Sequence, residues 1–224
     1  PLIAAEAAHL IVFQRTPNFS VPAQNHPLDP AVQRAVKREY AALRERAGEM
    51  RFGSDTAPNE PSALEVNPAE RLAEYEERWR RGGLPFLSSF ADLIFSKEAN
   101  DTAAGFIRTK IKEVVRDPAV AETLTPRTVV GCKRLCSDTN YFETFNRSNV
   151  TLVDVAATPI EAVTEHGLRT TRAHYLLDDL VFATGFDAIT AALARIDIRG
   201  REGIALREKW AAGPRTYLGL ATAG

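Results

Sequence analysis

Continuous apolar runs and helical apolar stripes alternate along this chain. Residues 10–13 (LIVF), 150–155 (VTLVDV) and 180–183 (LVFA) predict strands. The first and the last are uninterrupted, which is typical of strands buried on both faces of a parallel sheet, and residues 3–8 predict a crossover helix before the first. The pattern therefore predicts an α/β fold built on a parallel sheet.

Residues 27–130 show helical periodicity instead. Asp29-Pro30 and Asn67-Pro68 each combine a capping residue with a proline suited to the first helical turn. The apolar positions after these two signals recur at helical spacing, and residues 106–115 predict a further, longer helix. These apolar positions are Val32, Val36, Tyr40 and Leu43, then Leu72, Tyr75 and Trp79. We expect Gly82-Gly83 to end the second helix and Asp117-Pro118 the longer one. Because the block interrupts an α/β pattern, we interpret it as an all-helical insertion.

Short strands return in the last third of the chain. Glu165-His166-Gly167 is a turn signal between residues 160–163 and 168–170, which together predict a small antiparallel ribbon. Residues 196–198 and 217–220 are predicted as further strands around a helix that carries Trp210.

The composition excludes several kinds of partner. The apolar content of 45% and charged content of 25% are typical of a globular chain. A formal net charge of −1 gives no overall field that attracts nucleic acid or a membrane surface, and no apolar run is long enough to span a bilayer. Cys132 and Cys136 are interpreted as reduced thiols of a cytoplasmic protein, since a disulfide framework needs more cysteines. We expect no leader peptide, because the chain opens without a charged segment.

Several familiar catalytic motifs are absent from the sequence. It contains no G-x-G-x-x-G, no P-loop and no nucleophile elbow. Its four histidines are scattered without metal-ligand spacing, so no metal site is predicted.

The strand ends carry the candidate chemistry. Arg15 and Thr16 follow the first strand, where a planar guanidinium and a hydroxyl are placed to hold a phosphate. The alternative is a solvated arginine at a turn. Residues 184–187 (TGFD) follow the strand at 180–183, and their glycine permits close approach of a ligand or a second backbone. The alternative there is an ordinary tight turn.

Lys133 and Arg134 form a pair of adjacent cations that follows Gly131. We expect the surrounding scaffold to bring this pair against an anionic group. The residues alone do not assign a reaction.

Four segments of the chain resemble the flavin-dependent Baeyer–Villiger monooxygenases, in particular the phenylacetone and cyclohexanone monooxygenase group. They are IVFQRTPNFSVPA (11–23), GCKRLCSDTNYFETFNR (131–147), VFATGFDA (181–188) and EKWAAGPRTYLGLATAG (208–224). They appear in the family's order, and the helical block lies where the family has its helical insertion.

The resemblance implies a flavoprotein with two dinucleotide-binding domains, which bind FAD and NADPH. Residues 1–26 and 131–187 match two segments of the NADPH-binding domain, residues 27–130 the insertion, and residues 188–224 the start of the returning FAD-binding domain. NADPH reduces the flavin, O2 adds to give a flavin peroxide, and the peroxide attacks a ketone to give an ester or lactone.

The resemblance also implies roles for single residues. Arg15 and Thr16 hold the 2′-phosphate of NADPH, and Lys133 adds a second charge there. Arg134 is the catalytic arginine, because a fixed guanidinium stabilises the negative charge that develops during the reaction. Gly185 and Asp187 are assigned to cofactor binding where the chain crosses between the two domains.

The chain departs from the family pattern in four respects. Both glycine-rich fingerprints, the signature between them and the loop after the last strand are missing, so we expect a fragment that is inactive and poorly soluble alone. Residues 127–130 (RTVV) stand where the family usually has a proline. Two alternatives stay open, namely a flavin monooxygenase acting on soft nitrogen or sulfur, and a non-catalytic helical interaction module on a nucleotide-fold remnant. The sequence assigns neither the ketone nor the oligomeric state.

Overall fold

Short strands and helices alternate in the computed structural model, which describes residues 1–50, 53, 59–185, 190–219 and 221–223. The strands are β1 (Leu10–Gln14), β2 (Ser20–Pro22), β3 (Cys136–Asp138), β4 (Val150–Asp154), β5 (Ile160–Thr164), β6 (Gly167–Thr170) and β7 (His174–Leu176). The helices are α1 (Leu2–Glu6), α2 (Pro30–Arg38), α3 (Tyr40–Glu49), α4 (Pro68–Arg81), a 3-10 helix (Leu84–Ser88), α5 (Lys97–Val114), α6 (Pro118–Leu124), α7 (Tyr141–Thr144), α8 (Ala191–Ala194) and α9 (Leu206–Lys209). The predicted α/β class is confirmed.

The chain divides into two compact units. The first comprises Pro1–Thr164 with Leu168–Tyr175, and the second comprises Glu165–Gly167 with Leu176–Gly224. Helices α1 to α7 lie in the first unit, and α8 and α9 lie in the second. None of the helices in the described ranges combines the length and apolar character that crossing a bilayer requires.

The first predicted strand forms as β1, which pairs in parallel with β4. The register runs from Leu10 opposite Val150 to Gln14 opposite Asp154. The prediction that this strand is buried on both faces is wrong, because all five of its residues are only half-buried. Its only neighbour among the described strands is β4, and a two-stranded sheet is covered too little to bury both faces.

A second parallel pair joins β2 to β3. Ser20 lies opposite Cys136 and Pro22 opposite Asp138, and the Ala23 N–H donates to the Asp138 carbonyl at 2.7 Å. The three residues of β3 (CSD) show no apolar alternation, so the sequence did not predict this strand. The pair matters because it fixes the segment after β1 beside the segment that carries Lys133 and Arg134.

The core of the first unit is built largely by the helices between β2 and β3. The rings of Tyr75 and Phe86 have centroids 5.6 Å apart, and those of Tyr75 and Phe106 lie 5.4 Å apart. Phe19 and Val21, on either side of Ser20 in β2, are buried in the same cluster. Full burial of one such side chain stabilises the fold by about 1.5–3 kcal/mol, so these helices hold β2 in place.

The apolar face predicted for the first helix is not buried. The structure divides this region into α2 and α3 at Glu39, and Val32, Val36 and Tyr40 are 50%, 44% and 56% exposed. Leu72 on α4 is likewise exposed. Helical spacing places such residues on one face, but only a packing partner buries them, and no other described element covers this face of α2.

Capping chemistry predicted α4 well. The Asn67 side chain accepts hydrogen bonds from the N–H groups of Ala69 and Glu70, both at 3.0 Å. Gly82 ends the helix with φ +77°, and a Cβ there would lie 2.6 Å from the Pro22 carbonyl oxygen. A glycine is therefore required where α4 ends against β2.

Asp117 has a second role that the sequence interpretation missed. Helix α5 ends at Val114, and the Asp117 carboxylate then accepts hydrogen bonds from the N–H groups of Ala119 and Val120 at 2.8 and 3.2 Å. The Asp-Pro pair therefore begins α6, with Pro118 in its first turn, as well as separating it from α5.

The predicted ribbon is present in a larger form. Strands β5 and β6 are neighbours joined by Glu165 and His166, and β7 extends them to three strands. A connection of two residues is compatible only with antiparallel strands. Arg169 and Glu161 form an ion pair of 3.2 Å across the two strands.

The strands predicted in the second unit do not form. Residues 180–183 are irregular, with Val181 and Phe182 75% and 69% exposed, because no described strand lies beside them to complete a ladder. Residues 196–198 are not a strand, and Tyr217 makes only an isolated bridge with Ala221. Leu220 lies outside the described residues. The helix predicted to carry Trp210 is present as α9, but it ends at Lys209 and Trp210 directly follows it.

Candidate functional site

Arg15 and Thr16 directly follow β1 at its carboxyl end. Strands β1 and β4 end together, with Gln14 opposite Asp154, so both residues lie at the carboxyl edge of this strand pair. Both are exposed. This edge is where open parallel sheets bind their ligands.

Lys133 and Arg134 lie in a loop of residues 131–135, which we call the basic loop. It begins after Val130, which is 2% exposed, and ends on Leu135, which is 4% exposed. Lys133 and Arg134 are exposed between these two buried anchors. The loop is therefore fixed at both ends while its two cations face solvent.

The Asn100 side chain on α5 holds the start of the basic loop. Its amide nitrogen donates to the carbonyls of Leu93 at 2.8 Å and Val130 at 2.9 Å. Its oxygen accepts from the Val130 N–H at 2.9 Å. Asn100 is 2% exposed, so water cannot replace these bonds. This contact fixes the approach to Lys133 in the segment where the sequence departs from the family pattern.

We expect Asn100→Ala to lower the free energy of unfolding by about 2–4 kcal/mol, because it leaves three buried backbone groups without a hydrogen-bond partner. These groups are the carbonyls of Leu93 and Val130 and the N–H of Val130. Asp101→Ala is the matched control. It gains similar helix propensity and removes only an exposed ion pair with Lys97, so we expect a change below about 0.5 kcal/mol. Urea unfolding of both variants measures the difference, and equal midpoints would contradict the role of Asn100.

Asn18 joins the two segments that carry the predicted site residues. Its side-chain nitrogen donates to the Arg134 carbonyl oxygen at 2.9 Å and to the Cys136 sulfur at 3.5 Å. Asn18 lies three residues after Arg15, a stretch that spans at most about 10 Å. The structure therefore brings Arg15 and Thr16 into the neighbourhood of the basic loop.

We call Arg15, Lys133 and Arg134, on the two segments that Asn18 joins, the cation cluster. Arg15, Lys133 and Arg134 form no ion pair with any residue in the described ranges. Three uncompensated cations on neighbouring segments attract an anion, and the guanidinium groups offer paired donors that match a phosphate or carboxylate. The arrangement is suited to binding a multiply charged anionic group.

Asp138 fixes the chain on the other side of the basic loop. Its carboxylate accepts hydrogen bonds from the Ser20 hydroxyl and from the Tyr141 N–H, the latter at 3.0 Å. Burial raises the pKa of the Tyr141 phenol, and the nearby Asp138 carboxylate raises that pKa further. Tyr141 therefore stays protonated at neutral pH.

The rest of this segment has a structural role. Phe142 and Phe145 are buried in the core. The Asn146 side chain donates to the Val114 carbonyl and accepts from the Arg116 N–H, both at 2.8 Å. These contacts attach the segment to the end of α5, so its chemistry is concentrated in the basic loop.

Gly185 is exposed in the second unit, with φ +81° and no atom within 4 Å of a Cβ built on it. Its backbone fits the turn predicted from the sequence, but no described contact requires a glycine there. Asp187 lies outside the described residues.

Sequence reasoning missed Asn18 and Asn100. Asn18 stands between Pro17 and the buried Phe19, where a polar residue gives no periodic signal. Asn100 lies one turn inside α5, where a polar residue on an otherwise apolar face was the one available sign of a buried amide. Neither partner could be found without the tertiary structure.

The two cysteines and the candidate metal ligands were the remaining reactive groups of the sequence. Among the described residues there is no group of three or more histidine, cysteine or acidic side chains that could hold a metal ion. Cys132 and Cys136 are both exposed free thiols on either side of the cation pair.

Arg15 and Thr16 follow β1 at the carboxyl edge of a parallel strand pair, which is where open α/β sheets bind nucleotides. No protein-family model matches the chain. A Baeyer–Villiger monooxygenase from Pseudooceanicola batsensis is 41% identical over 96% of this chain and 40% of the relative. Cyclopentanone 1,2-monooxygenase from a Comamonas species is 40% identical over 99% of this chain and 41% of the relative. The chain thus spans about two-fifths of the length of these curated relatives.

The solved structures agree with the sequence relatives. OTEMO in complex with FAD and NADP matches with a TM-score of 0.91 and 41% identity, over 97% of this chain and 41% of that protein. The chain is therefore homologous, along nearly its whole length, to part of the Baeyer–Villiger monooxygenases. The resemblance expected from the four sequence segments is confirmed.

Proposed function

We propose that this chain is part of an FAD- and NADPH-dependent Baeyer–Villiger monooxygenase. The reaction inserts one oxygen atom of O2 next to a ketone carbonyl and gives an ester or lactone. The observation that carries the proposal is the cluster of uncompensated cations that Asn18 joins across two segments, in a chain homologous to such enzymes. Ketone and O2 are the proposed substrates, and a cytoplasmic location suits two free thiols and an NADPH-dependent reaction.

Arg15, Thr16 and Lys133 are the proposed ligands of the NADPH 2′-phosphate. Arg15 and Thr16 follow the end of β1, and Lys133 lies on the basic loop. All three residues are exposed. Two cations and a hydroxyl can satisfy several oxygens of a doubly charged phosphate. NADH lacks this group, so the site favours NADPH.

Arg134 is the proposed catalytic residue. FAD, when bound and reduced by NADPH, supplies the activated oxygen. Arg134 contributes a guanidinium that presents its donors in a fixed plane. Such a group stabilises the negative charge that develops on the reacting oxygen atoms, provided that its own position is fixed beforehand.

The finer domain arrangement is also part of the proposal. Residues 1–26 and 131–187 supply two segments of an NADPH-binding domain with a parallel sheet, which the helical residues 27–130 interrupt. Residues 188–224 begin an FAD-binding domain. The parallel pairing of β1 with β4 and of β2 with β3 across the helical block supports this arrangement. Gly185 and Asp187 are proposed to bind cofactor, at the point where the chain passes from the NADPH-binding domain to the FAD-binding domain.

The experiment uses the protein encoded by the complete reading frame in the source DNA. Purified protein is incubated with NADPH, FAD and a panel of cyclic and linear ketones, with an alkyl sulfide and a tertiary amine in parallel, and products are identified by mass spectrometry. We expect an ester or lactone with NADPH and much less with NADH. Sulfide or amine oxidation without ester formation indicates the neighbouring flavin monooxygenase chemistry. No product and no nucleotide binding would favour a non-catalytic module.

A further inference from the structure

The Arg134 carbonyl oxygen is held from outside its own segment. It accepts a hydrogen bond from Asn18 Nδ2 at 2.9 Å and a weak one from the Cys136 thiol at 3.7 Å. The next residue, Leu135, is buried, and the turn before Lys133 is closed by the Cys132 N–H, which donates to the Val129 carbonyl at 3.2 Å. Asn18 is therefore the only described side chain from another segment that bonds to the Arg134 backbone.

This bond is not needed to hold β2 and β3 together. The pair has its own parallel ladder from Ser20 to Pro22, and the Ser20 hydroxyl donates to the Asp138 carboxylate. A side-chain bond of the same kind closes the far end, where Asn25 Nδ2 donates to Thr139 Oγ1 at 2.9 Å. Asn18 lies before the ladder begins and reaches the basic loop instead.

The same short segment serves both parts of the proposed site. Thr16 and Asn18 are separated by Pro17 alone, and the fixed φ of a proline limits how far one can move without the other. Phe19, the next residue, is 1% exposed and anchors the segment in the core. Asn18 is thus held on a rigid segment between a phosphate-binding turn and the Arg134 backbone.

We propose that Asn18 is a positioning residue for Arg134. Its amide fixes the peptide between Arg134 and Leu135, and so sets the point from which the guanidinium reaches the reacting atoms. This inference rests on the proposed function, since it assumes the role given to Arg134. It assigns Asn18 no contact with substrate or cofactor.

The test compares Asn18→Ala and Asn18→Asp with Asn25→Ala in the protein encoded by the complete reading frame. Asn18→Asp keeps the size of the side chain but replaces the donor with a carboxylate oxygen, which repels the Arg134 carbonyl. Asn25→Ala removes a similar bond between the same two segments and leaves the basic loop untouched. The variants are compared by hydrogen–deuterium exchange and by steady-state kinetics.

Hydrogen–deuterium exchange provides a measurement that does not depend on turnover. We expect exchange of the amides in residues 131–135 to become at least about threefold faster in both Asn18 variants and to stay unchanged in Asn25→Ala. Unchanged exchange in the Asn18 variants, with the parent fold intact, would overturn the proposal whatever the activity.

Kinetics measure the consequence for the reaction. We expect kcat for ester formation to fall by about 10- to 100-fold in the Asn18 variants, while the KM for NADPH stays within about twofold. Equal kcat values for Asn18→Ala and Asn25→Ala would overturn the positioning role. A parent protein that forms no ester from any ketone would instead overturn the proposed function, and the exchange data would still decide whether Asn18 holds the loop.

Discussion

Replacing Arg134 with lysine is expected to lower kcat for ester formation by about 100- to 1,000-fold. Lysine keeps the positive charge but loses the planar fork and all but one of the donor nitrogens, and its flexible stem does not hold the charge in one place. The Arg134 side chain is exposed and forms no ion pair in the described ranges. Its replacement therefore removes no ion pair that stabilises the fold. We attribute the expected fall in kcat to the reaction itself and not to unfolding.

The measurement is product formation per NADPH consumed, with the unfolding temperature recorded in parallel. Arg127→Lys is the matched control, since Arg127 lies just before the basic loop and its one ion pair among the described residues is with Glu122, at 2.7 Å. We expect this control to retain the parent rate. Near-normal ester formation by Arg134→Lys would exclude Arg134 as the catalytic arginine and leave the cluster with a binding role alone.

Replacing Arg15 with alanine is expected to raise the KM for NADPH by about 10- to 100-fold and to leave the KM for NADH within about twofold. A hydrogen bond between two charged groups contributes about 1.5–3 kcal/mol, which corresponds to a factor of this size. Because NADH has no 2′-phosphate, it loses nothing when Arg15 is removed. The ratio of the two kcat/KM values therefore falls toward one.

The control for Arg15→Ala is Arg116→Ala. Arg116 is exposed and its side chain has no ion pair among the described residues, but it lies after α5 and outside the cluster. A similar loss with NADPH and NADH in Arg15→Ala would show a general effect on the fold or on the nicotinamide end. A rise in KM in Arg116→Ala as well would show that net charge, and not the site, controls NADPH affinity.

The sequence predicted elements well where the signal was local. The Asn67 cap, the Gly82 stop and the apolar runs that became β1 and β4 all depend on groups within a few residues of one another. It failed where formation of an element depends on a partner. Residues 180–183 have the composition of a buried strand, yet Val181 and Phe182 are exposed because no described strand pairs with them.

In the candidate site, too, the sequence predicted what depends on local signals and missed what depends on a distant partner. Residue type and position after a strand predicted that Arg15 and Thr16 could hold a phosphate, and the pair Lys133-Arg134 was evident in the sequence. Whether those two segments meet depended on β2 pairing with β3, and β3 has no pattern of its own. The homology suggested the proposed reaction, which no residue pattern in the chain assigns.

By itself, the sequence determined the caps at Asp29 and Asn67, the stop at Gly82 and which side chains can bind an anion. These properties depend on φ/ψ preferences, capping bonds and side-chain chemistry within about four residues. Only the tertiary structure decided that Asn18 holds the Arg134 carbonyl, 116 residues away, and that Asn100 holds Val130, 30 residues away. Such bonds form only after the core has placed both segments, so neither partner carries a local sign of the other.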